Sequence, residues 1–174
     1  GAASFTALSM VDGLAAASLE ARREVVALIR RLGANLLMTH APHDYHVDHR
    51  AVAALVGDAR IPAGASGIVD EPPLRATPDI VHFDAEQGLG ATPQIWVDVS
   101  ETMDVRRRAL DCHRSQATML HGQSLADVTE SLARLRGEQR GCAFAEAFSG
   151  YATWPHPDGG LRRLVLLTEG GADG

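Results

Sequence analysis

Aromatic residues make up only 5% of this 174-residue chain, and it holds two cysteines. So few rings leave little for a base-stacking or sugar-stacking platform. Two thiols, Cys112 and Cys142, do not build a disulfide framework. Cys112 falls in a helical pattern, which predicts a small packed residue rather than a nucleophile. Lysine and arginine number 16 against 22 for aspartate and glutamate, a formal net charge of −6. That is no basic footprint for nucleic acid, although it leaves small acidic ligands open. No apolar run is long enough to span a membrane, and no charged-then-apolar signal peptide opens the sequence. The expectation is a cytoplasmic protein with neither nucleic acid nor a membrane span in its function.

What is present suits one globular domain over residues 1–174, with 45% hydrophobic and 22% charged residues. Residues 4–10 roughly alternate and predict a strand that ends in the turn Val11-Asp12-Gly13. Residues 18–32 predict a helix with Ala21, Val25, Leu28 and Leu32 on one face. Glu20, Arg23, Arg30 and Arg31 lie off that face. Ser18 suits its N-cap and Gly33 its C′ position. A short buried strand over 36–38 follows, and then a loop and the first turns of a helix over 50–56. Strand, helix, strand at this spacing predicts a right-handed βαβ unit and a parallel sheet.

Residues 57–78 hold Pro62, Gly64, Gly67, Pro72, Pro73 and Pro78 and read as a long irregular rim. Residues 80–83 and 95–99 read as strands. Ser100 and Ser124 read as N-caps, the first for a helix over 101–116, the second for a helix with the stripe Leu125, Val128, Leu132 and Leu135. The run Arg106-Arg107-Arg108 reads as a solvated face, or at most part of a rim for an acidic ligand. Residues 144–148 fit strand or helix, 161–167 read as a last strand, and the tail after Thr168 reads as frayed.

The chemistry-bearing stretch is residues 35–52. It carries His40, His43, Asp44, His46, Asp48 and His49, and four of the chain's eight histidines fall within ten residues. Open α/β sheets place ligands where a strand end meets a helix start. Imidazole and carboxylate are the usual zinc ligands. His46 and His49, three apart, fall on one side of the first helical turn. A helix N-terminus disfavours a protonated imidazole there and keeps it neutral. Asp48, between them, is placed to orient one ring. His40 and His43 read as loop or structural residues and Tyr45 as a packing residue at the rim.

Asp44-Tyr45-His46-Val47-Asp48-His49-Arg50-Ala51-Val52 resembles the second signature of the PIG-L/LmbE-like zinc-dependent N-deacetylases, whose usual form is His-Pro-Asp-His. Val26-Ala27-Leu28-Ile29-Arg30 resembles the segment before it. Val97-Asp98-Val99-Ser100, Ala109-Leu110-Asp111-Cys112-His113-Arg114-Ser115-Gln116 and Ala145-Glu146-Ala147-Phe148 resemble segments after it, in the same order. The resemblance covers most of the chain. It implies a Rossmann-like three-layer α/β fold with a mostly parallel sheet, here with the first βα unit missing. It implies Zn2+-dependent hydrolysis of an N-acetyl group on an N-acetylglucosamine-type small-molecule conjugate, by a homo-oligomer. By the same resemblance His49 binds the metal. His46 is the catalytic acid or electrostatic stabiliser, and Asp48 is the catalytic-site residue that orients it.

Two departures stand out. Val47 replaces the usual proline, which removes no chemical group. The family's first signature, Ala-His-Pro-Asp-Asp, with two more zinc ligands and the general base, is absent before His46. His156-Pro157-Asp158 is a partial echo of it, but Gly159-Gly160 follows, so it reads as a turn. A catalytically dead, ligand- or partner-binding homologue is therefore a second reading. A third is a metallo-β-lactamase-like hydrolase, one residue away in Asp44-x-His46-x-Asp48-His49. The Arg-Ala-Val that follows and the βαβ order speak against it.

Overall fold

The computed structural model describes residues 2–85, 88–89, 92–115, 124–153 and 157–169. Helix α1 spans Leu19–Leu32, strand β1 Leu36–Thr39, α2 Val47–Gly64 and β2 Asp79–Phe83. Strand β3 spans Ile95–Asp98, α3 Met103–Asp111, α4 Leu125–Arg140, β4 Ala145–Gly150 and α5 Leu161–Glu169. The strands form one sheet in the order β1-β2-β4-β3. The pairing β1–β2 is parallel, with Leu37 opposite Ile80 and Thr39 opposite His82. The pairings β2–β4 and β3–β4 are antiparallel. The fold is the expected α/β class, but the sheet is mixed rather than mostly parallel. Strand directions rest on non-local pairing, which periodicity does not encode.

Helix α1 forms as its sequence dictates. The Ser18 hydroxyl accepts from the Ala21 amide at 3.1 Å, and Gly33 closes the helix at φ 60°. Val25, Val26 and Ile29 pack on Leu55, Ala59 and Ala63 of α2, and Leu37 of β1 joins this core. Arg30, expected off the apolar face, is buried. Its guanidinium donates to Ala63 O at 3.0 Å, Pro62 O at 2.7 Å and Glu71 O at 2.6 Å, and also to Ala65 O. It thus caps α2 from outside. The Pro62 and Ala63 carbonyls are among those that the last turn of a helix leaves without an intrahelical donor. Because α2 runs on to Gly64, the irregular rim expected over 57–78 is confined to 65–78.

A second core joins Val81, Phe148 and Leu164, with Leu36 and Leu161 against it. The segment expected as a last strand is the helix α5. Leu161 and Leu164, three apart, meet the sheet on one side of that helix, a spacing a strand would split between faces. Residues 4–10, expected as a strand, pair with no strand; Leu8 and Met10 pack on the α1–α2 core instead.

Ser100 is not an N-cap. Asp98 accepts from the Ser100 amide at 2.9 Å, so a short 3-10 turn, Ser100–Thr102, precedes α3. Helix α3 stops at Asp111, and residue 116, the end of the expected longer helix, lies outside the described residues. Helix α4 has the expected cap, Ser124, but buries Ala126, Ala133, Arg136 and Gly137 rather than its leucine stripe. Small residues let this helix lie close: a Cβ on Gly137 would stand 2.7 Å from the Ala143 carbonyl oxygen. Residues 144–148 resolve as strand within β4, from Ala145 onward. Pro157–Gly160 form the expected turn, while His156 lies outside the described residues, as does the tail from 170. No helix among the described residues is long and apolar enough to cross a membrane.

Candidate metal centre in the histidine loop

The loop between β1 and the N-terminus of α2 gathers the expected cluster. His46 is the N-cap of α2, and its Nδ1 accepts from the Asp48 amide at 3.2 Å. A nitrogen that accepts carries no proton, so the proton of the neutral ring sits on Nε2. His46 therefore presents an N–H donor at the helix N-terminus. Its ring lies 4.6 Å from that of His49, centroid to centroid.

Asp48 does not orient an imidazole through its carboxylate. Its oxygens accept from the Gly13 amide at 2.6 Å and the Ala15 amide at 3.0 Å. Those bonds, the Gly13 amide above all, hold its carboxyl below the usual range. Asp48 thus ties residues 13–15 to the start of α2 and reaches His46 only through its own backbone N–H. The carboxylate that meets an imidazole is Asp44, whose Oδ2 is 3.1 Å from His49 Nδ1. Asp44 is buried, and its Oδ1 accepts from the His46 amide at 2.8 Å. Arg50 fastens the loop from outside, donating to the carbonyls of Asp44 at 2.8 Å and Tyr45 at 2.7 Å.

His40, expected as a loop residue, belongs to the cluster. Its ring stacks on that of His49 at 3.9 Å and 8°, and Phe83 closes its other side edge-on at 4.7 Å. Burial first, and the neighbouring His49 second, push its pKa down to about 4. His40 is therefore neutral near pH 7. His43 is exposed and lines a separate cleft with His82 and Tyr151.

His40, Asp44 and His49 can each offer one ligand atom, and these atoms lie within 4.8 Å of one another. Ligands about 2.1 Å from one tetrahedral ion stand roughly 3.4 Å apart, so the trio needs a closure of up to about 1.4 Å, within the reach of side-chain rotation. The His49–Asp44 contact supports the fit. Nδ1 is within reach of Oδ2 by distance, yet it is buried without a hydrogen bond, because the alignment is wrong for one. With Nδ1 unprotonated, the two atoms would suit a shared cation. A three-ligand His-Asp-His set with further positions open is the arrangement of catalytic rather than structural zinc.

The sequence reading did not count His40 and Asp44 among the candidate ligands. His40 directly follows β1, and Asp44 sits two residues before the N-cap His46, where its side chain turns back onto the loop.

Residues 1–60 match the sequence model of a family described as PIG-L, GlcNAc-PI de-N-acetylase. Over those residues the chain is similar to that family. The matched region contains α1, β1, the whole histidine loop and most of α2. Among solved structures, the conserved protein TT1542 from Thermus thermophilus is similar at 25% identity and TM-score 0.70, over 85% of this chain and 64% of that one. GalB, the 4-carboxy-2-hydroxymuconate hydratase of Pseudomonas putida, is similar at 21% identity and TM-score 0.63, over 75% and 57%. The N,N'-diacetylchitobiose deacetylase of Pyrococcus horikoshii is similar at 19% identity and TM-score 0.66, over 80% and 54%. The last two likenesses concern the fold alone. The chain spans less than two thirds of the length of each of these structures.

Proposed function

We propose that this chain carries the metal-binding and oxyanion-stabilising part of a Zn2+-dependent de-N-acetylase acting on an N-acetylglucosamine-type conjugate. The observation that carries the reading is the convergence of His40, Asp44 and His49 beside the Nε2–H of His46. His49, with His40 and Asp44, would hold the ion. A bound zinc ion would polarise an amide carbonyl and bring the pKa of a water toward 7.

The chain's own residues do the rest. His46 donates from Nε2 to the oxygen on which charge develops, a stabilisation strongest in a site with little water. Asp48 acts on His46 at one remove: its backbone N–H fixes Nδ1 as the acceptor and so fixes the donor at Nε2. Asp44 sets the loop by accepting from the His46 amide. Among the described residues no second carboxylate joins the trio to act as base, the role that the resemblance gives to the absent first signature.

The test is acetate release from an N-acetylglucosaminide by the zinc-loaded chain, with His46→Ala and His49→Ala beside it. Activity above background, cut roughly a hundredfold or more by His46→Ala and lost with the metal in His49→Ala, is the expected result. A zinc-loaded chain that releases no acetate, and whose ligand binding survives both variants, would favour the homologue that binds without catalysis. A homo-oligomer is part of the proposal, and light scattering checks it: a monodisperse monomer removes it. The cytoplasmic setting is part of the same reading.

A further inference from the structure

A cavity of about 620 Å³ lies between α1, α2, β1 and the segment from Leu8 to Ala15. None of His40, Asp44 and His49 lines it. Its volume falls inside the roughly 300–1,000 Å³ range of small-molecule sites. Apolar side chains come from all four elements: Leu28 and Leu32 from α1, Leu36 and Met38 from β1, Val52 from α2, and Met10 from the N-terminal segment. Val25, Ile29 and Leu55 belong to the buried α1–α2 core, whereas Leu32 is 60% and Met38 49% exposed. The cavity therefore runs from the core out to solvent. Apolar surface gathered around an open concavity is a mark of binding.

Charge selects the occupant. Asp12 and Asp48 are the two polar side chains among the described residues that line the cavity, and no cation joins them. Asp48 accepts from the Gly13 and Ala15 amides, which are neutral donors and leave its negative charge in place. Asp12 is exposed and stands at the rim. An anionic head group would meet two carboxylates there. A cationic one would meet its complement, with its apolar part on the walls.

We propose that this cavity binds a single-chain amphiphile with an ammonium-type head, its alkyl chain on Leu28 and Met38 and its head at Asp12 and Asp48. The site needs neither a metal nor deacetylation, so it stands or falls separately from the histidine trio.

The experiment is a ligand-observed NMR titration of the full, metal-free chain with octylammonium below its micelle concentration. Octanoate, 1-octanol and butylammonium are the comparators. Saturable binding of octylammonium at about a millimolar or tighter is expected. Octanoate should bind at least about fivefold more weakly. Butylammonium, four methylenes shorter, should bind about a hundredfold more weakly. Leu32→Arg sets a cation in the wall at an exposed position in the last turn of α1, where a cation suits the helix. It should weaken octylammonium by about tenfold or more. Asp12→Asn should weaken it by about twofold to fivefold and leave 1-octanol unchanged. No saturable binding of octylammonium would overturn the proposal, as would equal affinity for octanoate or unchanged affinity in Leu32→Arg. Light scattering on the same sample adds one more outcome: a dimer that binds no octylammonium would make a second copy of the chain the occupant, and the proposal would fall.

Discussion

Asp44 and Asp48 flank the same imidazole in the sequence and do different work in the structure. Asp44 turns inward to His49 and the His46 amide; Asp48 turns outward to Gly13 and Ala15. Their variants should separate. Asp44→Asn takes a charged ligand from the trio and should lower zinc affinity by about tenfold or more, the scale seen when metal-site partners are lost. Asp48→Asn should change zinc affinity little but speed amide hydrogen exchange at Gly13 and Ala15. Equal zinc loss in both variants would mean that the trio is misassigned. His82 makes a second residue-scale case. It is buried in β2, edge-on to Tyr151 at 5.6 Å, with His43 lining the same cleft. Burial holds its pKa below the ordinary 6.5. Below pH 6.5 the unfolded chain therefore binds a proton that the folded chain resists. The stability from neutral His82 is complete above about pH 6.5 and is lost as pH falls toward the folded pKa, by at most about 1.4 kcal/mol per pH unit. Urea unfolding in EDTA at about pH 7.5, 6 and 5 should show this slope, and His82→Gln should reduce it. An unchanged slope in His82→Gln would assign the effect to other groups.

Among the elements, the joint between α1 and α2 depends on one cation. Arg30 meets carbonyls at the end of α2 and just beyond it, from inside the fold. Methionine at that position keeps the buried stem and strands those carbonyls. Arg30→Met should therefore cost about 2–4 kcal/mol of unfolding free energy in urea, since bonds to charged groups and stranded buried acceptors each count for a kilocalorie or more. A loss below about 0.5 kcal/mol would mean that water takes the carbonyls over. The sequence displayed the ends of α1, because Ser18 and Gly33 are local signals, but it misplaced the buried face, which is Val25, Val26, Ile29 and Arg30 while Leu32 is exposed. It hid the role of Arg30, because a helix wheel assigns arginine to solvent and cannot see a carbonyl cluster 32 to 41 residues away. It misread α5, because Leu-Arg-Arg-Leu-Val-Leu-Leu is too short to separate a helical from an extended pattern. It also missed the antiparallel half of the sheet, since β4 arrives from the far end of the chain to lie between β2 and β3. In the candidate site, the closeness of His46 and His49 was legible from their spacing at a helix start. His40 and Asp44 were not, because loop geometry has no period.

At the scale of the whole molecule, a metal held by these residues ties β1 to α2. His40 follows the end of β1, Asp44 lies in the loop, and His49 lies in the first turn of α2. Their ligand atoms come together only in the folded chain, so binding energy becomes folding energy. At a free zinc concentration about a hundred times the dissociation constant, the gain is about 2.7 kcal/mol. For a chain of this length, each kilocalorie moves the melting temperature by about 2–4 °C, so zinc should raise it by roughly 5–11 °C. The unfolded chain keeps two thiols and eight imidazoles that also bind zinc, and this competition pulls the shift toward the lower figure. Scanning calorimetry with zinc and with EDTA measures it. His49→Ala should leave no shift, because a site reduced to His40 and Asp44 loses one of its three arms. A shift that persists in His49→Ala would place the ion elsewhere. No shift in the wild type would leave the stacked rings and their carboxylate as a packing motif, and the deacetylase reading would lose its support in this chain.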